Sequence, residues 1–231
     1  MPRRDLHTEP PTDQAHDPRQ PNLSLRGAIR IFFQHRSPRI MVGGLATLGV
    51  LRLVTGGFTV WDLVLAAILV SLQPFGEWVI HVYLLHFRPR TVRGRRVDFV
   101  AARYHRAHHR DPHDPRYWFI PLYSGLVGSV ITLAASVLLT PTTGLALTAF
   151  LTVLALAFTY EWTHFLCHTS YRPRSAFYKR IWRHHRLHHF KNERYWMGVS
   201  MHMGDRVLGT MKDPAQVETS PKCRDLFGGE S

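Results

Sequence analysis

The sequence predicts an all-α integral membrane protein with about four transmembrane helices and a cytosolic, histidine-rich cap that holds two metal ions. Three observations predict this fold class: four long apolar segments, basic residues confined to one side of them, and ten histidines grouped beside them. The length of 231 residues suits a single domain. We expect a disordered N-terminal tail at 1–24, a membrane-embedded domain at 25–211 and a flexible C-terminal tail at 212–231.

The first elements are expected to lie outside the membrane core. Residues 1–24 are rich in Pro, Asp, Arg and Gln, a composition typical of disorder, and they lack the apolar stretch of a secretory signal peptide. From Leu25 to Arg36 apolar and basic residues are interspersed. This pattern predicts a short amphipathic helix on the membrane surface.

Four apolar segments follow, at about 40–56, 58–87, 118–139 and 145–165. A helix over the second segment would run about 45 Å, whereas the hydrocarbon core of a bilayer is about 30 Å thick. We therefore expect its last turns, which carry His81 and His86, to project out of the bilayer. Pro74 should kink this helix, and Arg52 of the first segment should snorkel towards a headgroup region.

The basic residues predict the orientation. Of 29 Lys and Arg, seven precede the first segment, nine lie between the second and third, twelve follow the fourth, and the last is Arg52. The positive-inside rule then places both termini and every histidine cluster in the cytoplasm. The formal net charge of +13 is therefore explained by membrane topology, and a nucleic-acid partner is not indicated. Cys167 and Cys223 would face the reducing cytoplasm, so no disulfide is expected.

Ten histidines form four clusters with short spacings, and neutral imidazole is the commonest metal ligand in proteins. The clusters are His81-x4-His86, His105-x2-His108-His109, His164-x3-His168 and His185-x2-His188-His189. Residues three and four apart share one face of a helix, so three of the clusters can present all their imidazoles together. His81 and His86 are five apart, which requires a helix end, a distorted helix or an approach from two directions.

The number of imidazoles restricts the chemistry. A structural zinc needs four ligands, and ten exceed what one ion can use but suit two. Imidazole suits Zn, Cu, Fe and Ni, and the scarcity of nearby carboxylates disfavours a Glu-rich bundle site. A transporter carries its polar ligands at the bilayer midplane, whereas these clusters gather at one membrane face. That placement favours oxygen-dependent chemistry on a lipid tail.

Three longer motifs resemble a known family. They are His-Arg-Ala-His-His-Arg-Asp-Pro-His-Asp at 105–114, Tyr-Glu-Trp-Thr-His-Phe-Leu-Cys-His at 160–168, and His-Arg-Leu-His-His-Phe-Lys-Asn at 185–192 followed by Gly-Val-Ser at 198–200 and Asp205. These resemble the histidine boxes of the fatty acid hydroxylase/sterol desaturase superfamily, and most closely those of fatty acid 2-hydroxylases. The likeness covers roughly Gln73 to Thr210.

The resemblance implies an enzyme and a ligand set. All ten clustered histidines fall on ligand positions for two non-haem irons, which zinc can replace in purified protein. The family uses O2 and two electrons to hydroxylate a long-chain fatty acyl lipid at C-2. Glu161 and Asp114 fall where side chains orienting the imidazoles are expected. His113, His184 and His202 fall outside the ligand pattern.

The resemblance also leaves alternatives open. No haem-binding His-Pro-Gly-Gly motif is present, so a separate cytochrome b5- or ferredoxin-type electron donor is implied. Residues near the C-terminal Asp205 depart from the family pattern, with His202 and Gly204 in place of tryptophans. The boxes do not separate hydroxylation of an acyl chain from hydroxylation or desaturation of a carotenoid or sterol. A zinc-binding membrane protein without turnover also remains open.

Overall fold

The computed structural model describes residues 22–227, so most of the tail predicted at 1–24 lies outside the described residues. The chain in this range is mostly helical, with one short β-hairpin. The helices are α1 Leu25–Phe32, α2 Arg36–Thr55, α3 Val60–Val79, a π-helix Ile80–Leu85, α4 Val100–Arg110, α5 Leu122–Leu139, α6 Thr143–His168, α7 Ala176–Phe190, α8 Met203–Val207, and 3-10 helices Pro115–Tyr117 and Pro214–Gln216. The hairpin strands are β1 Arg90–Val92 and β2 Arg95–Val97.

Four helical segments are long and apolar enough to cross a membrane, namely Arg36–Thr55, Val60–Leu85, Pro115–Leu139 and Thr143–His168. Their apolar side chains are largely exposed, as in Leu138 and Leu139, which are 81% and 82% accessible. Such surfaces are stable in lipid and not in water. The prediction of an all-α membrane protein with four spanning helices is therefore confirmed.

The helix predicted near Leu25 is present, but it packs on the bundle. Ser24 caps its start by accepting a hydrogen bond from the Gly27 N–H at 3.1 Å. The fully buried Phe32 ring lies 4.9 Å from the Trp162 ring and 5.2 Å from the Phe165 ring, both on α6. Part of the apolar face of α1, at Ala28, Ile31 and Phe32, is therefore covered by protein, whereas Leu25 and Ile29 stay exposed.

Arg52 differs from the expectation that it snorkels. Its side chain is only 3% exposed and donates to the Asp62 carboxylate at 2.6 Å. Thr148 of α6 donates to the same carboxylate at 2.6 Å. Asp62 therefore joins α2, α3 and α6 at the end of the bundle opposite to the histidine clusters. A buried charge is tolerated only when it is paired in this way. Arg52 and Asp62 lie on different helices, and no sequence pattern indicated that they form a pair.

Two further contacts, at Pro74 and near the C-terminus, lie at the histidine end of the bundle. α3 continues through Pro74 to Val79, and the Pro74 carbonyl approaches Gly204 of α8 so closely that any side chain at Gly204 would collide with it. At the C-terminus, Cys223 and Leu226 are buried, within the segment that the sequence predicts to be a flexible tail. Both contacts add to the cap that covers the histidine end of the bundle.

Candidate metal centre

The ten clustered histidines converge into two groups of five. In each group one ring nitrogen per residue lies within 4.8 Å of all the others. The first group is His81, His86, His105, His109 and His188, and the second is His108, His164, His168, His185 and His189. The groups adjoin, since the His109 and His189 rings lie 4.3 Å apart. Nine of the ten histidines are buried, and His86 is partly buried.

A π-helix brings His81 and His86 together. Six residues, Ile80–Leu85, wind with i→i+5 hydrogen bonds, and the His86 N–H donates to the His81 carbonyl at 3.0 Å. This extra residue per turn puts side chains five apart on one face, and the two rings lie 4.9 Å apart. The distorted helix predicted as one option for this spacing is the arrangement observed.

The histidines of the two His-x2-His-His motifs divide between the groups in the same way on both helices. On α4, His105 and His109 are one turn apart and join the first group, whereas His108 joins the second. On α7, His185 and His189 are one turn apart and join the second group, whereas His188 joins the first. Each His-x2-His-His motif therefore serves both groups. The end of α3 contributes only to the first group and α6 only to the second.

The spacing of the Nε2 atoms suits metal coordination. Neighbouring Nε2 atoms in the first group are 3.1–3.2 Å apart, for His81–His105, His105–His109 and His109–His188. In the second group they are 2.7–3.1 Å apart, for His108–His168, His168–His185 and His185–His189. Two nitrogens bound at right angles to one ion at 2.0–2.1 Å would lie about 2.9 Å apart.

Backbone carbonyls fix the other ring nitrogen of four histidines. Nδ1 contacts a carbonyl oxygen at 2.6–2.9 Å in His81 with Met197, His109 with Cys223, His188 with Tyr195, and His164 with Trp118. Nδ1 must then carry the proton, which leaves the Nε2 lone pair free. Lone pairs that converge in a buried space repel one another unless a cation lies between them. The donor set therefore fits one cation in each group.

Burial keeps these imidazoles neutral. Desolvation lowers the pKa of His109 and of His188 to about 3, and it holds the pKa of His105 well below its usual range. Neighbouring histidines lower these pKa values further, because two imidazolium ions cannot share such a space. At neutral pH the histidines of both groups that lie on α4 and α7 are thus unprotonated, which is the state in which imidazole can bind a metal.

The two predicted carboxylates occupy different places. Glu161 is fully buried and accepts hydrogen bonds from the Ser37 hydroxyl at 2.7 Å and the Ile120 N–H at 2.9 Å. Asp114 instead pairs with the Arg116 guanidinium at 2.5 Å and caps the 3-10 helix Pro115–Tyr117. Its contacts are local, and burial competes with the Arg116 interactions that lower its pKa. The role predicted for Asp114 has no geometric support among the described residues.

Two further carboxylates, Glu77 and Asp205, were given no role from the sequence, although Asp205 belongs to the third histidine motif. Glu77 is 5% exposed and accepts hydrogen bonds from the N–H groups of Val199 and Ser200. Asp205 is fully buried and accepts from the N–H groups of Met197 and Gly198, both at 2.8 Å. Together they hold the loop that presents the Met197 carbonyl to His81. The Gly-Val-Ser motif at 198–200 was the signal that could have pointed to this loop.

The three histidines placed outside the ligand pattern stay outside both groups. His113 stacks on Phe190 with ring centroids 5.9 Å apart. His184 and His202 face each other with ring centroids 4.5 Å apart. The identity of the ten ligands as such remains a prediction, although the fold gathers all ten and none of these three.

Comparison with protein families matches residues 66–210 to the fatty acid hydroxylase family, a range that contains all ten histidines. The chain belongs to the fatty acid hydroxylase family. Its fold is similar to that of a solved structure described as full-length scs7p with only the hydroxylase domain visible. The TM-score is 0.66 at 20% sequence identity, and the match covers 80% of this chain and 68% of the other. No curated protein matched the chain in a sequence search.

Family membership supplies the broad activity. As a member of this family, the chain is a lipid hydroxylase of the oxidoreductase class. The four apolar helices and the two histidine groups are consistent with a metal-dependent membrane enzyme. The superfamily predicted from the histidine boxes is thereby confirmed.

Proposed function

We propose that this fatty acid hydroxylase is a di-iron monooxygenase that hydroxylates a long-chain fatty acyl lipid, at C-2, with O2 and two electrons from a separate donor. One observation carries the proposal: two adjoining groups of five histidines, without a carboxylate in either, at one end of the membrane helices. A site that served only structure would need about four ligands around one ion. Two adjoining positions fit a reaction that uses a pair of redox metals.

The residues of the chain would hold, orient and shield the metals. The ten Nε2 atoms supply the ligands, and the carbonyls of Met197, Cys223, Tyr195 and Trp118 fix the rings that face them. When bound, non-haem iron with O2 supplies an oxidant strong enough for an unactivated C–H bond. The burial of His108, His109, His188 and His189, each at most 1% exposed, keeps bulk water from this oxidant.

The position of the site supports a lipid substrate. Both groups lie where α3 and α6 end, so an acyl chain in the bilayer can reach them lengthwise along exposed apolar helices. C-2 is next to the carboxyl carbon and would lie at the membrane surface when the tail stays among the helices. Hydroxylation near the headgroup therefore suits this placement better than hydroxylation in the middle of the chain.

The surface charge supports a cytoplasmic orientation and an external donor. Basic residues concentrate in the segments flanking the histidine end, and exposed examples include Arg103, Arg180 and Arg183. Such a face attracts anionic lipid in the cytoplasmic leaflet. It would also speed the encounter with an acidic cytochrome b5- or ferredoxin-type donor.

Isotope labelling tests the monooxygenase proposal. Purified protein supplied with iron, a reducing donor and an acyl lipid is expected to place one oxygen atom from ¹⁸O2 in each hydroxylated product, read by mass spectrometry. The control is the same reaction under ¹⁶O2 in ¹⁸O-labelled water, which should leave the product unlabelled. Label derived from water, or an alkene in place of an alcohol, would contradict the proposal.

A further inference from the structure

The two metal positions are built by two halves of the chain with the same plan. In the first half, α3 with its π-helix is followed by α4, and in the second half α6 is followed by α7. Each half supplies a pair of histidines at the end of a long helix and a His-x2-His-His motif on the next helix. Each long helix also carries one buried glutamate shortly before its first ligand, Glu77 before His81 and Glu161 before His164.

Glu77 holds the loop that follows α7. Its Oε1 accepts from the N–H groups of Val199 and Ser200, and its Oε2 accepts from the Ser200 hydroxyl at 2.5 Å. Two residues before Val199 along this loop, the Met197 carbonyl accepts the His81 Nδ1 proton at 2.6 Å. Glu77 therefore reaches His81, one helical turn away on its own helix, through the backbone of another segment.

Glu161 makes the equivalent connection to the segment that follows α4. Its Oε1 accepts from the Ile120 N–H at 2.9 Å, two residues beyond Trp118. The Trp118 carbonyl accepts the His164 Nδ1 proton at 2.8 Å. The order glutamate, loop N–H, loop carbonyl and histidine Nδ1 is thus the same in both halves, and each glutamate serves a different group of five.

We propose that Glu77 and Glu161 are matched positioning residues, each of which sets the metal affinity of one position: Glu77 that of the group containing His81, and Glu161 that of the group containing His164. Each acts as a hydrogen-bond acceptor that fixes the loop carbonyl against the ligand ring. A ring whose Nδ1 partner moves loses its fixed orientation, which weakens metal binding through Nε2. This inference rests on the dimetal function proposed above.

Shortening either glutamate tests the pairing. Glu77→Asp withdraws the carboxylate from Val199 and Ser200 while keeping the charge. Chelator-stripped full-length protein in detergent is titrated with Zn²⁺ against a chromophoric chelator. We expect two ions per chain in the parent, with the affinity of one ion reduced about 10–100-fold in the variant. Glu161→Asp should weaken the other ion to a similar extent.

Ligand variants identify which ion is affected. His188→Ala and His189→Ala change adjacent residues of α7 that belong to the first and the second group respectively. Glu77→Asp combined with His188→Ala should lose little beyond His188→Ala alone, because both act on the same ion. Combined with His189→Ala, it should leave both ions weakly bound. The combinations with Glu161→Asp should show the reverse pattern.

Two controls separate positioning from general stability. Glu77→Gln keeps an oxygen that accepts from Val199 and Ser200, so zinc binding should stay within a few-fold of the parent. Asp62→Asn alters a buried carboxylate at the far end of the same helix, and both zinc affinities should persist even if the melting temperature falls. Equal weakening of both ions by Glu77→Asp, or no weakening of either in folded protein, would overturn the inference. Site-selective zinc loss without any lipid hydroxylation would contradict only the proposed function.

Discussion

Replacing His188 with alanine is expected to reduce lipid hydroxylation by more than about 100-fold while the four membrane helices persist. His188 is fully buried, its Nε2 lies 3.2 Å from that of His109, and the Tyr195 carbonyl fixes its Nδ1 at 2.9 Å. Outer partners of metal-bound histidines alone account for 10–100-fold in metal affinity or activity, so loss of a ligand should cost more. Turnover, metal per chain and far-ultraviolet circular dichroism measured on the same sample check this prediction.

His202→Ala is the matched control. His202 is also a buried histidine of the cap, but its ring faces His184 and lies outside both groups of five. The variant should keep its metal and its activity. Full activity and full metal content in His188→Ala would contradict the assignment of that ligand. Lost metal in His202→Ala would mean that the ligand set extends beyond the ten histidines.

Removing the metals is expected to stop turnover and to lower the thermal stability of the purified protein. Each ion that binds only the folded chain at 1,000 times its dissociation constant stabilises it by about 4 kcal/mol. Iron(II) added back should restore both activity and melting temperature. Zinc should restore the melting temperature but no activity, because it has no redox chemistry.

The comparison of iron with zinc separates a monooxygenase, which needs a redox metal, from a protein in which the metal has only a structural role. Both ions suit imidazole ligands, so both should bind the ten-histidine site. Equal turnover with zinc and iron would contradict the requirement for a redox metal. No turnover with iron and a competent electron donor, together with a stable zinc form, would favour the zinc-binding membrane protein without catalysis.

Much of the fold could be predicted because it depends on local patterns. Apolar segments of membrane-spanning length predicted the four spans, and the five-residue spacing of His81 and His86 left a distorted helix as one of three options. Repeated His-x2-His-His motifs predicted ligands on two helices. Each of these features is set by residues close together in sequence, where helical periodicity is informative.

Features that depend on distant segments could not be predicted in the same way. Helical spacing suggested that His105, His108 and His109 point together, yet His108 belongs to the other group, because the ring partners come from α6 and α7. The hydrogen-bond partners of Glu77 and Arg52 lie on other segments. From the sequence, Arg52 was therefore expected only to reach a headgroup region, and Glu77 was given no role. Conversely, the position of Asp114 in a family motif suggested that it orients an imidazole, but its carboxylate forms an ion pair with Arg116, two residues away.

The C-terminal segment gives a further example. Its composition suggested a loose tail, but the Cys223 carbonyl accepts the His109 Nδ1 proton at 2.8 Å. A carbonyl acceptor carries no side-chain signal, so this contact leaves no trace in the sequence. The same holds for Met197, Tyr195 and Trp118, whose carbonyls rather than side chains face the histidines.

The most direct test of the proposed reaction is a mass-spectrometric profile of hydrolysed acyl chains from a host that makes no 2-hydroxy lipids. The host expresses either the parent chain or His188→Ala at matched membrane levels, together with a cytochrome b5- or ferredoxin-type donor. We predict new 2-hydroxy fatty acids with the parent chain only. Their absence with the donor present, or the appearance of hydroxylated carotenoids or sterols instead, would contradict acyl 2-hydroxylation.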